Sequence, residues 1–98
     1  MNVRVRVPTQ LRDLVAGASV IEVSVGSASD RVTTVATVLD ALATQHPALE
    51  RRIREEQGQT RSHVTLFVGS DNVRDRDGPA TLVHASDELS IIPAVSGG

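Results

Sequence analysis

The chain ends in Ser96-Gly97-Gly98, and the α-carboxylate on that glycine pair is the group best placed to do chemistry. Glycine lacks a Cβ, so such an end can enter a narrow tunnel in another protein and take dihedrals closed to other residues. A carboxylate is a poor electrophile, but adenylation by ATP converts it to a mixed anhydride that a sulfur nucleophile attacks. Ile92-Pro93-Ala94-Val95 leads into this end from a predicted strand, so the tail is anchored on one side only. Other chemistries find less support. His46, His63 and His84 lie too far apart for compact metal-ligand spacing, and loop or strand-end positions account for all three. Asp71, Asp75, Asp77 and Asp87 fall in predicted loops without the distant bidentate Glu of a calcium loop. Ser, His and Asp are present, but no nucleophile-elbow pattern joins them. We therefore expect no catalytic centre, no metal site and no bound cofactor in the chain itself.

Composition narrows the partners. With no Cys, thiol nucleophiles, thiolate ligands and disulfides are excluded. All ten basic residues are Arg, set against 12 acids, for a formal charge of −2, which argues against nucleic acid or an anionic membrane as partner. No apolar run approaches the roughly 20 residues of a membrane span. Asn2, Arg4 and Arg6 interrupt any signal-peptide core, so a cytoplasmic protein is expected. At 98 residues, one domain is expected over 1–93, with 94–98 as a C-terminal tail.

The elements that would position the tail can be read from periodicity. Residues 2–7 alternate strictly, with Val3, Val5 and Val7 on one face and Asn2, Arg4 and Arg6 on the other. Residues 8–19 read as a loop or short helical turn, with Leu11 and Leu14 touching the core. Residues 20–25 give a second strand. Val35, Val38, Leu39 and Leu42 mark a helix with Asp30, Thr33 and Thr34 as candidate N-caps, stopped at His46-Pro47. A charged shorter helix over 48–56 carries Leu49 and Ile53. Residues 63–69 form a strand, 74–81 an exposed loop, and 88–93 the last strand with Leu89 and Ile91 inward. Alternation then puts Phe67 and Ile92 on the sheet face away from the helix, beside Arg4 and Arg6. Large apolar groups exposed there suggest a partner-docking face. The fold class expected is α+β: a β-grasp, with a mixed sheet on one main helix and a second short helix.

The stretches MNVRVRVPT, FVGSDNVR and SDELSIIPAVSGG resemble the ubiquitin-like sulfur-carrier family. That family includes the molybdopterin synthase small subunit, the thiamine sulfur carrier and the cysteine-biosynthesis sulfur carrier. The resemblance covers nearly the whole chain, is most specific over residues 87–98, and leans to the cysteine-biosynthesis branch at the opening strand and Pro8-Thr9. It implies a β-grasp fold and a thiocarboxylate on Gly98, with Val95, Ser96, Gly97 and Gly98 threading a partner's active site. It also implies an ATP-using adenylyltransferase and sulfurtransferase of the ubiquitin-activating type, and a sulfur-accepting enzyme, with a PLP-dependent cysteine synthase preferred. Molybdopterin synthesis, another thio-metabolite, or conjugation to target amines through Gly98 remain alternatives.

Overall fold

The structure, a computed structural model, describes residues 1–93. Strand β1 (Asn2–Arg6) alternates exposed and buried side chains as the sequence dictates. Pro8 ends it, and a 3-10 helix over Thr9–Val15 follows. Val15 supplies that helix's buried side chain; Leu11 packs against the core and Leu14 is half-buried. Ala16 at φ 55° and Gly17 at φ 83° reverse the chain into β2 (Val20–Ser24), antiparallel to β1.

A short strand β3 (Val32–Thr34) runs directly into helix α1 (Val35–Gln45). Of the three candidate caps, Thr34 is the one used: its Oγ1 accepts from the Thr37 amide at 3.2 Å. Asp30 instead closes the preceding turn, accepting the Ser27 amide at 2.8 Å, and that hydrogen bond holds its carboxyl below the usual range. His46 leaves helical dihedrals ahead of Pro47, which opens α2 (Pro47–Ile53). This helix ends sooner than the 48–56 pattern suggested, because Arg54 turns extended and bridges to Thr60.

Strand β4 (Val64–Val68) and a two-residue β5 (Asp71–Asn72) are followed by two 3-10 turns, Val73–Asp75 and Gly78–Ala80. The exposed loop expected over 74–81 is thus partly ordered, and Val73 just before it and Thr81 at its end are buried. Strand β6 (Leu82–His84) pairs with β3 in a separate two-stranded ribbon. Strand β7 (Glu88–Pro93) then inserts between β1, parallel, and β4, antiparallel, giving the order β2-β1-β7-β4-β5.

Val3, Val5, Val23, Leu66, Leu89 and Ile91 face inward from the sheet, and the buried stripe of α1 with Leu49 and Ile53 of α2 completes the same core. The core is almost wholly aliphatic, and Phe67, the single aromatic residue, is not part of it.

Candidate functional site

Strand β7 fixes the point from which the tail departs. Hydrogen-bonded strands flank it, with Val5 opposite Leu89 on one side and Leu66 opposite Ile91 on the other. Leu89 and Ile91 are almost fully buried. Pairing with β1 ends at Ser90, whereas pairing with β4 continues through Thr65–Ile92 and Val64–Pro93. Two guanidinium groups pin the strands beside this exit. Arg12 Nε donates to the Val7 carbonyl at 3.1 Å, and Arg74 Nη2 to the Val64 carbonyl at 2.9 Å. Neither arginine was legible as part of the site, since each comes from a loop or 3-10 turn without periodicity. Val95, Ser96, Gly97 and Gly98 lie outside the described residues.

The four side chains expected on the docking face do share one face. Ser90 lies opposite Arg6 on one side and Phe67 on the other, and Ile92 is one step diagonal to Phe67, opposite Thr65. Ile92 is 48% exposed, but Phe67 is half-buried, so the apolar patch is smaller than two fully exposed side chains would make. The arginines are not independent solvated charges either. Arg6 Nε donates to Glu88 at 2.7 Å and Arg4 approaches the same carboxylate at 3.7 Å. The Arg6 hydrogen bond lowers the Glu88 carboxyl from its usual range, and Glu88 in turn raises Arg6. Glu88 thus lies between the two guanidiniums, and Glu22, opposite Arg4 on β2, adds a second carboxylate to the same face.

A second charged cluster lies away from this face, where Arg54 sits between Glu50 at 2.7 Å and Asp40 at 2.9 Å beside an open cleft of about 500 Å³. A cleft of about 290 Å³ between α1 and β4 has an apolar floor that includes Leu39 and Leu66; its lining includes no carboxylate or imidazole. His46 caps α1, His63 precedes β4, and His84 lies in β6 with Nδ1 3.4 Å from Asp87.

Comparison with known proteins decides the family. The ThiS family model matches residues 5–98, taking in the strand that carries the tail and the tail itself. The chain belongs to the ThiS family. Among curated relatives of this ThiS-family protein, the sulfur carrier protein CysO of Mycobacterium tuberculosis is 31% identical over 100 residues, covering 100% of both chains. Small archaeal modifier protein 1 of Haloferax volcanii is 36% identical over 84 residues, covering 86% of this chain and 87% of the relative. Among solved structures, a chain of the Amycolatopsis orientalis BexX/CysO complex superposes with a TM-score of 0.80 at 29% identity, covering 98% of this chain and 99% of that one. SAMP1 from Haloferax volcanii superposes with a TM-score of 0.78 at 30% identity over 100% of both chains. The fold is accordingly the ubiquitin-like β-grasp, and the protein is a ThiS-type member of the sulfur-carrier and ubiquitin-like modifier family.

Proposed function

We propose that this protein is a cytoplasmic sulfur carrier, a cosubstrate rather than a catalyst. In this reading the Gly98 carboxylate attacks the α-phosphate of ATP on an activating enzyme, giving an acyl adenylate and pyrophosphate. Hydrosulfide from a sulfur source then adds at the carbonyl and AMP leaves with the electrons of the C–O bond to phosphate, so that Gly98 ends as a thiocarboxylate. The observation that carries the reading is the full-length similarity to CysO, combined with a Gly-Gly end that follows directly from a strand locked in the centre of the sheet. A five-residue segment spans at most about 17 Å, which suits delivery of a carboxylate into a buried site while the folded body stays outside. The face bearing Ile92, just before Pro93, and Phe67, Arg6 and Arg4 along the same sheet surface is the proposed docking surface for the activating enzyme. The preferred acceptor is a PLP-dependent cysteine synthase.

Similarity to a small archaeal modifier protein supports a second reading, in which activated Gly98 is captured by an amine to form an isopeptide. Intact-mass spectrometry on protein with a native, untagged C-terminus separates the two. The carrier gains one sulfur in place of one oxygen, whereas the modifier appears covalently joined to other proteins. A C-terminus that stays an ordinary carboxylate with an activating enzyme, ATP and a sulfur source overturns both.

A further inference from the structure

The outer edge of β2 is one border of the five-stranded sheet. The Val7 amide donates to the Ser19 carbonyl and the Val25 amide to the Met1 carbonyl, which sets the parity of the β1–β2 ladder. Residues 21 and 23 therefore turn their backbone groups toward β1, and residues 20, 22 and 24 turn theirs outward. At Ser24 the outward pair is already taken. The Gln45 side-chain amide accepts from the Ser24 N–H at 3.1 Å and donates to its carbonyl at 2.9 Å, standing in for a neighbouring strand. The outward N–H and C=O of Val20 and Glu22 have no such partner among the described residues.

Beside these two open positions lies a partly covered apolar strip. Ile21 of β2, Ala18 just before it and Ala41 of α1 pack against the core without being buried. Ala41 is one turn before Gln45, so it lies on the side of α1 that faces β2. On the opposite, solvent side of the edge, Glu22 is exposed and enters no ion pair among the described residues; Arg4, its cross-strand neighbour, is turned to Glu88.

We propose that residues 20–22 accept an extended peptide segment by strand addition, one with apolar side chains toward Ile21 and Ala41 and a basic residue opposite Glu22. Main-chain hydrogen bonds would supply the attachment and the alternating side chains the selectivity. A second copy of this chain fits poorly. Any antiparallel β2–β2 pairing that matches residue 22 with 20 or with 22 sets the two Glu22 side chains diagonal or opposite to each other, and like charges so placed repel. The proposal concerns a surface separate from the tail and stands whether or not sulfur transfer is the function.

The test is an NMR titration of the full chain with the capped pentapeptide Thr-Ile-Lys-Val-Thr and, separately, with Thr-Ile-Glu-Val-Thr. The Lys peptide is expected to slow hydrogen exchange at the Val20 and Glu22 amides and to shift Ile21 and Ala41, leaving Phe67 and Ile92 unmoved. The Glu peptide is expected to bind about two- to five-fold more weakly, the range for an exposed cross-strand charge pair. Glu22→Gln should erase that preference and Glu22→Arg reverse it. The proposal is overturned if no shifts appear at millimolar peptide, if they fall on the Phe67–Ile92 face, or if both peptides bind equally. It is also overturned if the Val20 and Glu22 amides of the chain alone become protected as its own concentration rises, which would make a second copy the occupant.

Discussion

Glu88 ties together the two arginines of the proposed docking face, with Arg6 at 2.7 Å and Arg4 at 3.7 Å. Its carboxyl is held below the usual value of about 4.3, first by the Arg6 hydrogen bond. The stabilisation it contributes is therefore present above that usual value and lost as pH falls through the lower, folded one. Thermal unfolding of the protein and of Glu88→Gln should differ at pH 7 and converge toward pH 3. The difference should be small, since the pair is largely solvated. A gap that widens on acidification would falsify the pairing. The apolar half of the face divides differently. Ile92→Asp should shift stability by no more than about 0.5 kcal/mol, as for other exposed positions, while reducing thiocarboxylate formation. Phe67→Asp should cost more stability, because its ring is half-buried. Comparing thiocarboxylate yield with melting temperature for each single variant separates docking from folding.

At the scale of elements, α2 shows how two turns of charged helix become an obligatory part of the core. Leu49 and Ile53 are fully buried, and Arg54 ties the helix end to Glu50 at 2.7 Å and to Asp40 of α1 at 2.9 Å. Ile53→Ala should cost about 2–5 kcal/mol by chemical denaturation, whereas Arg52→Ala on the exposed side should stay within about 0.5 kcal/mol. Equal effects would mean that α2 is not packed as described. The Leu49–Ile53 spacing made this helix legible, as strict alternation did for β1, the inward Leu89 and Ile91 did for β7 and the i, i+3, i+4, i+7 stripe did for α1. The ribbon of β3 and β6 was not legible. Three residues are too few to display alternation, and two of the three in β3 are threonines, which also suit a cap or turn. Val32 at 46% and Leu82 at 54% exposure are apolar residues that burial did not select, so hydrophobic pattern alone could not place them. The site divides along the same line. Its shared face followed from strand parity, while the Glu88 bridge and the Arg12 and Arg74 clips depend on register and loop geometry that no local pattern encodes.

At the scale of the whole molecule, Met1 and Pro93 lie at opposite ends of the sheet. Because β1 and β7 run parallel, Met1 lies near the start of β7 and Pro93 at the far end of the sheet. Met1 is buried, and its ammonium donates to the Val25 carbonyl at 2.6 Å and the Ser27 carbonyl at 2.5 Å. A peptide extension before Met1 converts that ammonium to an amide with a single N–H, so one of the two bonds is lost. The expected loss is about 1–2 kcal/mol, which for a domain of this size lowers Tm by on the order of 5–10 °C. Sulfur loading should survive, since the disturbed end is remote from the tail exit. Adding one residue after Gly98 should do the reverse, leaving Tm unchanged and abolishing the thiocarboxylate, because the chemistry needs a terminal carboxylate on a glycine. Intact-mass spectrometry and thermal unfolding of both extended proteins give the four readings required. If the C-terminally extended chain still acquires sulfur, the reacting group is not the Gly98 carboxylate and the carrier mechanism fails. If the N-terminal extension blocks loading at unchanged Tm, the docking surface reaches the Met1 end of the sheet, and the Ile92 face is not the primary contact.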